Sequence, residues 1–352
     1  MSMSSEPHSS ISFARVLKVV LPVAIVAAAA YFWSSRLPSQ AQEQVSTNVV
    51  SRMLGRPEQM VGDSIKFVDK DGDLVADPPE DPKDCVSPDV LTFSYVASEE
   101  DSVPEAKWKE FTANLAQKTG HKVNYTRFTS IDDQLAAFRK GDLQITGLNT
   151  GLVPVAVQRD GFVPLCTFGR DDGTFGYTMQ FLVPANSPIK NLADIRGHKI
   201  TFTRLDSNSG FKAPLVLLMD EYHLMPDRDY QWGFSQAHED SIKGVAAKEF
   251  EVAPVASDIL ARMVEKGDVD PTAIVSIYKS ERFPPATIGM VYNLTPELRE
   301  AIRAALAEFS LKGTGLEGEF ADATKLVPVS YKDDWANTRR IDQVVAQART
   351  GK

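Results

Sequence analysis

Strand and helix patterns alternate along the chain from Leu91 to about residue 310, and this alternation constrains the fold more than any other feature. Residues 91–97 (LTFSYVA) are rich in aromatic and β-branched side chains, which predicts a strand. Residues 107–118 carry apolar side chains at helical spacing and are followed by Gly120, which predicts a helix. Because alternating strands and helices form sheets covered by helices, the sequence predicts an α/β protein.

The alternation divides into two sets, and a clear helical pattern capped by Thr295 follows the second. We therefore predict two α/β lobes with a ligand cleft between them. The first lobe is predicted from residues 90–178 together with 297–345, and the second from residues 179–296. Two crossings between the lobes are expected, near residues 177–184 and 274–292.

The N-terminal region contains a charge-free run of fifteen residues, Val19–Trp33, preceded by Arg15 and Lys18. This pattern predicts a cytoplasmic N-terminus (1–15), a transmembrane anchor or signal segment (16–35), and a stalk with an acidic linker (36–89). A cleaved signal peptide is the alternative, but the bulky run 31–33 (YFW) stands where small residues would mark a cleavage site. Either reading exports the rest of the chain to the periplasmic side of the inner membrane.

An acidic, proline-rich stretch, residues 67–85, is the one candidate metal site. Calcium prefers several carboxylate oxygens presented by a tight turn, and Gly72 permits such a turn. The spacing misses the EF-hand pattern, so a solvated linker in which Asp and Pro cap turns is the alternative. The predicted calcium ligands are Asp69, Asp71, Asp73 and Asp77.

Charge and cysteine content exclude several classes of protein. The formal net charge of −9 argues against a nucleic-acid partner, because an acidic surface repels phosphates. Cys85 and Cys166 are too few for a disulfide scaffold, although they could pair in an oxidising compartment, or Cys166 could be a free core thiol. The sequence has no GxSxG, HExxH, P-loop or CxxC motif, so we expect no catalysis and no further cofactor.

Polar residues follow three predicted strands of the second set. Residues 203–211 (TRLDSNSGF) open a helix with short polar side chains, and Gly210 permits close approach of a ligand. Helix N-termini bind anions, because their N–H groups are unpaired. His238 begins the next helix, and Asp258 follows a third strand end. These junctions converge on one point if their strands are parallel neighbours.

The motifs in this order resemble the phosphate, phosphite and phosphonate substrate-binding proteins of ABC transporters, over about residues 90–310. The resemblance implies the two-lobed type II periplasmic binding protein fold, also called a Venus flytrap. The run from Gly176 to Phe211 is the most specific part. The other matching motifs are LTFSYVASEED, Trp108-x-x-Phe, AFRKGDLQI, AHEDS and SERFPPATIGMV.

The resemblance implies the residues of the ligand site. The family's Ser-Thr-Ser-Gly motif, which holds phosphoryl oxygens, corresponds here to residues 207–210 (SNSG). His238 matches a family histidine that touches the same group, and Asp258 lies where aminoalkylphosphonate binders carry an acid for the ligand amine. The predicted ligand-binding set is Ser207, Asn208, Ser209, Gly210, His238, Tyr177, Asp258 and Thr150.

Departures from the family pattern concentrate in the part of the site that meets the organic group. Ile131 and Ala286 stand where amine-specific binders carry Tyr and Asp, and Gln144 replaces a frequent Asp. We therefore expect a small oxyanion, namely phosphate, phosphite or a simple phosphonate, captured by hinge closure for an ABC permease. A membrane-tethered sensor and a scaffold that has lost its ligand are the alternatives.

Overall fold

The computed structural model describes residues 67–96 and 103–350. Its strands, in chain order, are β1 (Val90–Ser94), β2 (Lys122–Tyr125), β3 (Ile145–Leu148), β4 (Phe162–Gly169), β5 (Tyr177–Pro184), β6 (Lys199–Phe202), β7 (Gln231–Phe234), β8 (Ala253–Ala256), β9 (Ile274–Phe283), β10 (Thr287–Val291) and β11 (Lys325–Pro328).

The α-helices of the same residues are α1 (Lys109–Thr119), α2 (Ile131–Lys140), α3 (Val153–Asp160), α4 (Ala213–Asp220), α5 (His238–Ala246), α6 (Ser257–Lys266), α7 (Pro296–Glu308), α8 (Tyr331–Asp334) and α9 (Ala336–Thr350). A π-helical turn (Asn208–Lys212) leads directly into α4. Shorter 3-10 turns occupy Pro82–Asp84, Glu105–Trp108, Leu192–Ile195 and Pro271–Ala273.

The first lobe is built on a six-stranded sheet in the order β11-β4-β10-β3-β1-β2. Strands β1, β2 and β3 are parallel, and β10 runs antiparallel to both β3 and β4. The helix predicted from apolar spacing is α1, whose buried Phe111 and Leu115 pack with Trp108 and Phe93 in the first core. α2 begins at the predicted cap Ser130, whose hydroxyl accepts from the Asp133 N–H.

The second lobe contains a β8-β5-β9 sheet and a β6-β7 pair that are joined edge to edge. The Thr201 N–H donates to the Val252 carbonyl at 2.9 Å, and Ile200 pairs in parallel with Val252, which directly precedes β8. The strand order is therefore β7-β6-β8-β5-β9. Strands β7, β6 and β8 are parallel neighbours, so the helices that follow them begin at one edge of the lobe.

Among the residues that the structure describes, three segments connect the lobes. The chain leaves the first sheet between β4 and β5, returns between β9 and β10, and crosses again where α9 follows Trp335. Trp335 lies in the first core, whereas Ile341 and Val345 of α9 lie in the second core.

Two boundaries differ from the sequence prediction. The prediction placed residues 179–296 in the second lobe, but all five residues of β10 are buried within the first sheet, between β3 and β4. It placed residues 297–345 in the first lobe, but the apolar face of α9 packs on the second lobe. Strand and helix patterns indicate the type of an element and not the sheet that it joins, which explains both differences.

Part of the predicted stalk packs against the first lobe. The Phe67 ring contacts the Tyr292 ring edge to face with centroids 4.9 Å apart, and the Val86 N–H donates to the Asn293 carbonyl at 2.8 Å. Within residues 67–96 and 103–350 no helix is both long enough and apolar enough to span a bilayer. The predicted cytoplasmic N-terminus (1–15), anchor (16–35) and first part of the stalk (36–66) lie outside the described residues. Both cysteine thiols are free.

Candidate functional site

A cavity of about 260 Å³ lies between the two lobes, where the carboxyl ends of β6, β7 and β8 meet. Ser207 follows β6, His238 begins α5 after β7, and Asp258 is in the first turn of α6 after β8. All three residues line the cavity. Parallel neighbouring strands thus bring three separate parts of the sequence to one point.

The turn that follows β6 presents its first residues to the cavity. The Gly210 N–H donates to the Ser207 Oγ at 3.0 Å, so Ser207 caps the π-helical turn. A Cβ atom at Gly210 would stand 1.9 Å from the Thr203 Oγ1, so only glycine fits at this position. The turn and α4 form one continuous helix, whose N-terminus carries a partial positive charge toward the cavity. We call residues 207–210 the oxyanion turn.

His238 is a neutral imidazole that contacts Ser207. The Ala256 N–H donates to the His238 Nδ1 at 3.2 Å, so Nδ1 is unprotonated and the proton resides on Nε2. The Nε2 lies 3.2 Å from the Ser207 Oγ and donates to it. Burial lowers the pKa of His238 to about 4, with a further lowering by Arg204 and a smaller opposing effect of Asp206.

The hydrogen bonds that the Ser207 oxygen accepts leave its hydroxyl able to act only as a donor. Its oxygen accepts from the Gly210 N–H and from the His238 Nε2–H, which uses both lone pairs. Its own hydrogen remains for a group outside this set, and Ser207 lines the cavity. This hydroxyl requires a hydrogen-bond acceptor, and an ionised oxygen is a strong one.

Polar atoms of the second lobe lack hydrogen-bond partners among the described residues. The buried atoms without a partner include the oxygen and the nitrogen of the Asn208 side-chain amide, the Thr203 Oγ1 and the Asp258 Oδ1. Asn208 lies close enough to the Tyr177 hydroxyl to affect its pKa, although no hydrogen bond of normal geometry joins the two side chains. Because a buried unpaired amide costs free energy, a polar ligand would stabilise these groups if a small movement exposed them to the cavity, which their residues line.

Tyr177 and Thr150 lie where the chain crosses between the lobes. The Tyr177 hydroxyl donates to the Thr150 Oγ1 at 3.3 Å, and the Thr150 hydroxyl donates to the Pro284 carbonyl at 2.6 Å. These contacts tie the loop after β3 to β5 and to the β9–β10 crossing. Burial raises the pKa of Tyr177, while its contacts with Ser209, Thr150 and Asn208 oppose that shift.

The cationic side chains that line the cavity are paired with carboxylates. Arg204 holds Asp206 with two hydrogen bonds, at 3.1 and 2.8 Å, and the Asn149 amide of the first lobe donates to Asp206 at 2.6 Å. Arg170 and Arg262 likewise pair with Asp322 and Glu239. Within residues 67–96 and 103–350, an anion in this cavity would therefore meet hydrogen-bond donors rather than an uncompensated cation.

Asp258 differs from these carboxylates, because its Oδ1 has no hydrogen-bond partner within the described part of the chain. Burial raises the pKa of its carboxyl group, Asp322 adds to that effect, and backbone N–H groups and Arg262 oppose it. A ligand with a hydrogen-bond donor near α6 would satisfy this oxygen.

An aromatic wall on the first-lobe side of the cavity was missed by the sequence analysis. The Phe168 and Phe320 rings stack with centroids 3.6 Å apart, and Tyr95 meets both rings edge to face. A Cβ atom at Gly147 would stand 2.3 Å from the Tyr95 ring, so glycine there makes room for it. Tyr95 could have been found as the residue after a strand end, whereas Phe320 lies in a region without a recognisable pattern.

The structure places the predicted ligand-binding residues as follows. Thr150, Tyr177, Ser207, Asn208, Ser209, His238 and Asp258 line the cavity, and Gly210 packs behind it on Thr203. Ala286 also lines the cavity, whereas Ile131 lies at a second, more open groove. The Gln144 side chain accepts from the Thr92 N–H at 2.8 Å and is not part of the cavity wall.

The predicted calcium ligands divide into two groups. Asp69, Asp71 and Asp73 each offer a carboxylate oxygen within 4.8 Å of the others, and all three residues are exposed. Asp77 accepts from the Lys70 N–H at 2.7 Å and does not belong to this cluster. Carboxylates of the loop also accept from its own N–H groups, as Asp69 does from Gly72. Calcium binding stays a prediction.

Residues 93–335 match the family described as the periplasmic substrate-binding protein of phosphonate ABC transporters. The chain belongs to this family. Members of the family bind substrate for a transporter and are not enzymes, in agreement with the absence of a catalytic motif from the sequence. The predicted α/β, two-lobed binding-protein fold and its extracytoplasmic location are confirmed with it.

Two relatives of this binding protein are similar in sequence. The phosphate-import protein PhnD of Mycolicibacterium smegmatis is 23% identical over 232 residues, which is 63% of this chain and 72% of that protein. The phosphonates-binding periplasmic protein of Escherichia coli is 24% identical over 216 residues, which is 60% of this chain and 64% of that protein. The match thus spans just under two thirds of the Escherichia coli protein.

Solved structures show the same fold. The PhnD1 protein of Prochlorococcus marinus in complex with methylphosphonate matches with a TM-score of 0.61 and 15% identity, over 74% of this chain and 100% of that one. A binding protein component of a phosphonate ABC transporter from Pseudomonas aeruginosa matches with a TM-score of 0.62 and 17% identity, over 75% of this chain and 89% of that one.

Proposed function

We propose that this protein captures a small phosphorus oxyanion, with a simple phosphonate as the first candidate and phosphate or phosphite as the others. The observation that carries the proposal is the committed donor Ser207 beside the unpaired Asn208 amide, at a helix N-terminus that faces the cavity. Several directed donors without an uncompensated cation suit a phosphoryl group that is stripped of water. The printed functions of the two sequence relatives, phosphate import and phosphonate binding, support the same ligand class.

The size and walls of the cavity support a compact ligand. A volume of about 260 Å³ accommodates a small molecule and no polymer. The oxyanion turn occupies one side, and the aromatic wall of Tyr95, Phe168 and Phe320 occupies the other. An apolar substituent such as a methyl group would lie against these rings, because apolar surface is removed from water there.

We further propose that capture occurs by hinge closure. The ligand would contact the oxyanion turn of the second lobe and the wall of the first lobe, so that it favours the form in which both lobes meet it. The crossings beside Tyr177 and Pro284 are the proposed hinge segments, since each joins a strand of one sheet to a strand of the other. An ABC permease is the proposed partner that reads the closed form.

An anchored form of the protein is part of this proposal and rests on the sequence of residues 16–35. A tether at the inner membrane would raise the local concentration of the binding protein near its permease. Cell fractionation with an alkaline wash tests it, and we expect the full chain to stay with the membranes. Recovery of a shortened, soluble form from the periplasm would instead establish cleavage.

One observation favours a second ligand class, the aminoalkylphosphonates. The unpartnered Oδ1 of Asp258 is a suitable acceptor for a ligand ammonium group. An Asp258→Asn variant separates the two classes. A loss of 2-aminoethylphosphonate binding with unchanged methylphosphonate binding would favour the amine ligand, and equal effects on both would favour the simple phosphonate.

Calorimetric titration of the full chain in mild detergent tests the proposed function. The ligands are methylphosphonate, 2-aminoethylphosphonate, phosphate, phosphite and sulfate. We expect one phosphorus oxyanion to bind with micromolar affinity or better, and Ser209→Ala, which adds no volume at this buried position, to weaken that binding by at least about tenfold while the fold is retained. Ser276→Ala, a change in β9 away from the cavity, is the matched control. No binding of any phosphorus ligand would overturn the proposal.

A further inference from the structure

Lys212, the last residue of the π-helical turn, is a buried lysine with partners in two other parts of the chain. Its side chain is 2% exposed. Its ammonium donates to the Gly151 carbonyl at 2.8 Å and to the Asp342 Oδ1 at 2.6 Å. We propose that Lys212 and Asp342 form a clamp that holds the loop after β3 against the oxyanion turn and thereby favours the closed, ligand-bound form. The inference rests on the proposed function, since it concerns the regulation of the same cleft.

The three partners belong to different parts of the architecture. Lys212 is part of the second lobe, Gly151 lies in the loop after β3 of the first lobe, and Asp342 is on α9. Ile341, the neighbour of Asp342, is in the second core, so Asp342 stays with Lys212 when the lobes separate. The bond between Lys212 and Gly151 is therefore the part of the clamp that must break on opening.

The clamp is coupled to the ligand site through the backbone. The Lys212 N–H donates to the Ser207 carbonyl at 3.1 Å, which joins the two ends of the turn. On the first-lobe side, the Thr150 carbonyl accepts from the Trp335 indole N–H at 3.4 Å, and Asn149 donates to Asp206. A shift of the ammonium would thus be transmitted to residues on both sides of the cavity.

The chemistry of a buried ammonium determines the direction of the effect. An ammonium has three donors and no acceptor, and it is costly to bury without acceptors and a negative partner. Asp342 supplies that charge and makes burial of Lys212 tolerable. Gly151 supplies a second acceptor only while its loop lies against the turn, so this bond stabilises the closed form relative to the open one.

Two single variants and their combination test the clamp. Lys212→Met keeps most of the side-chain volume and removes the ammonium, and Asp342→Asn is a milder change that keeps the shape. Lys266→Met makes the same chemical change at an exposed position at the end of α6 and is the matched control. Methylphosphonate is the ligand probe, and thermal unfolding identifies any variant that fails to fold.

Two readouts are measured on the full chain in mild detergent. The first is the methylphosphonate dissociation rate. The second is the interlobe distance without ligand, from spin labels placed at the exposed positions Asp142 and Glu265 in a Cys85→Ser background. We expect each single variant to accelerate dissociation by about tenfold and to shift the distance distribution toward larger separations. The double variant should have the same dissociation rate and interlobe distance as Lys212→Met, because the two substitutions disrupt the same clamp.

The outcomes distinguish the clamp from the proposed function. If the unaltered protein binds methylphosphonate and both readouts of the single variants equal those of Lys266→Met, the clamp is refuted and the function stands. If no phosphorus ligand binds, the proposed function fails, and the interlobe distance without ligand still decides on the clamp. Single effects that add in the double variant would also overturn the inference, because they would show two independent contacts.

Discussion

Gly151 of the first lobe lies directly against the carbonyl oxygen of Asp206 in the second lobe. A Cβ atom at Gly151 would stand 2.3 Å from that oxygen and 2.9 Å from the Asn208 backbone nitrogen. The two lobes therefore meet backbone to backbone at the floor of the cleft, immediately beside the oxyanion turn. This contact has no room for a side chain.

We predict that Gly151→Ala weakens methylphosphonate binding by roughly tenfold or more, because the added methyl group forces the two backbones apart. Calorimetry measures the effect. Gly233→Ala is the control, since a Cβ atom there meets only the flexible Lys199 side chain, at 3.3 Å. Unchanged affinity in Gly151→Ala would show that the contact at the cleft floor does not contribute to the bound state.

Replacement of Asn208 should move stability and binding in opposite directions. Asn208→Leu has a similar volume and removes a buried amide whose two polar atoms lack partners. We expect the ligand-free protein to gain about 1 kcal/mol of unfolding free energy and the ligand affinity to fall by at least about tenfold. Urea unfolding and calorimetry on the same preparation measure both. A loss of stability would show that the amide is satisfied in the ligand-free protein.

The pH dependence of stability should carry a contribution from His238. Its pKa is about 4 in the folded protein, against an ordinary value of 6.5 for a solvated histidine, so the unfolded chain binds more protons between these values. The stabilisation from neutral His238 is complete above pH 6.5 and is lost as the pH falls toward 4. The slope from this group is at most about 1.4 kcal/mol per pH unit.

His238→Gln isolates this contribution from that of Asp258, whose raised pKa acts in the opposite direction. A carboxyl with a raised pKa stabilises the fold at low pH and loses that effect as the pH rises. Because Asp258 is present in both proteins, its effect cancels in the difference between their urea-unfolding free energies at each pH. A difference that is flat from pH 4 to 7 would contradict the assignment of a neutral, buried imidazole.

The C-terminal helix should be essential for the stability of the second lobe. Ile341 is 4% exposed and packs in the second core. We expect Ile341→Ala to lower the unfolding free energy by about 2–5 kcal/mol, which is typical of a buried isoleucine. Arg340→Ala, at the exposed neighbouring position, should change it by no more than about 0.5 kcal/mol. Equal effects of the two variants would refute the packing of α9 on this lobe.

The sequence was sufficient to predict the parts of the site that follow a local rule. Ser207, His238 and Asp258 each lie within five residues after the end of a strand, and such strand ends meet at one edge when the strands are parallel neighbours. The N-cap of α2, Ser130, and the C-cap of α1, Gly120, could likewise be predicted from the local sequence. These features need only the chemistry of a few adjacent residues.

Other parts of the site depend on contacts that are distant in sequence. Phe320 stacks on Phe168, and Asp342 pairs with Lys212 across 130 positions of the chain. The sequence around Lys212 gives no indication that the side chain will be buried or that Asp342 will supply the opposite charge. The same applies to β10, whose sequence predicts a strand but does not indicate that it lies between β3 and β4.

The order in which the chain builds its two lobes has a consequence for export. The first sheet is incomplete without β10 and β11, and the second core is incomplete without Ile341 and Val345 of α9. A chain whose segments cross the membrane in sequence order delivers β10, β11 and α9 after most of the other parts of both lobes. We therefore expect each lobe to reach its final packing only after these late elements have crossed, because they complete its sheet or its core.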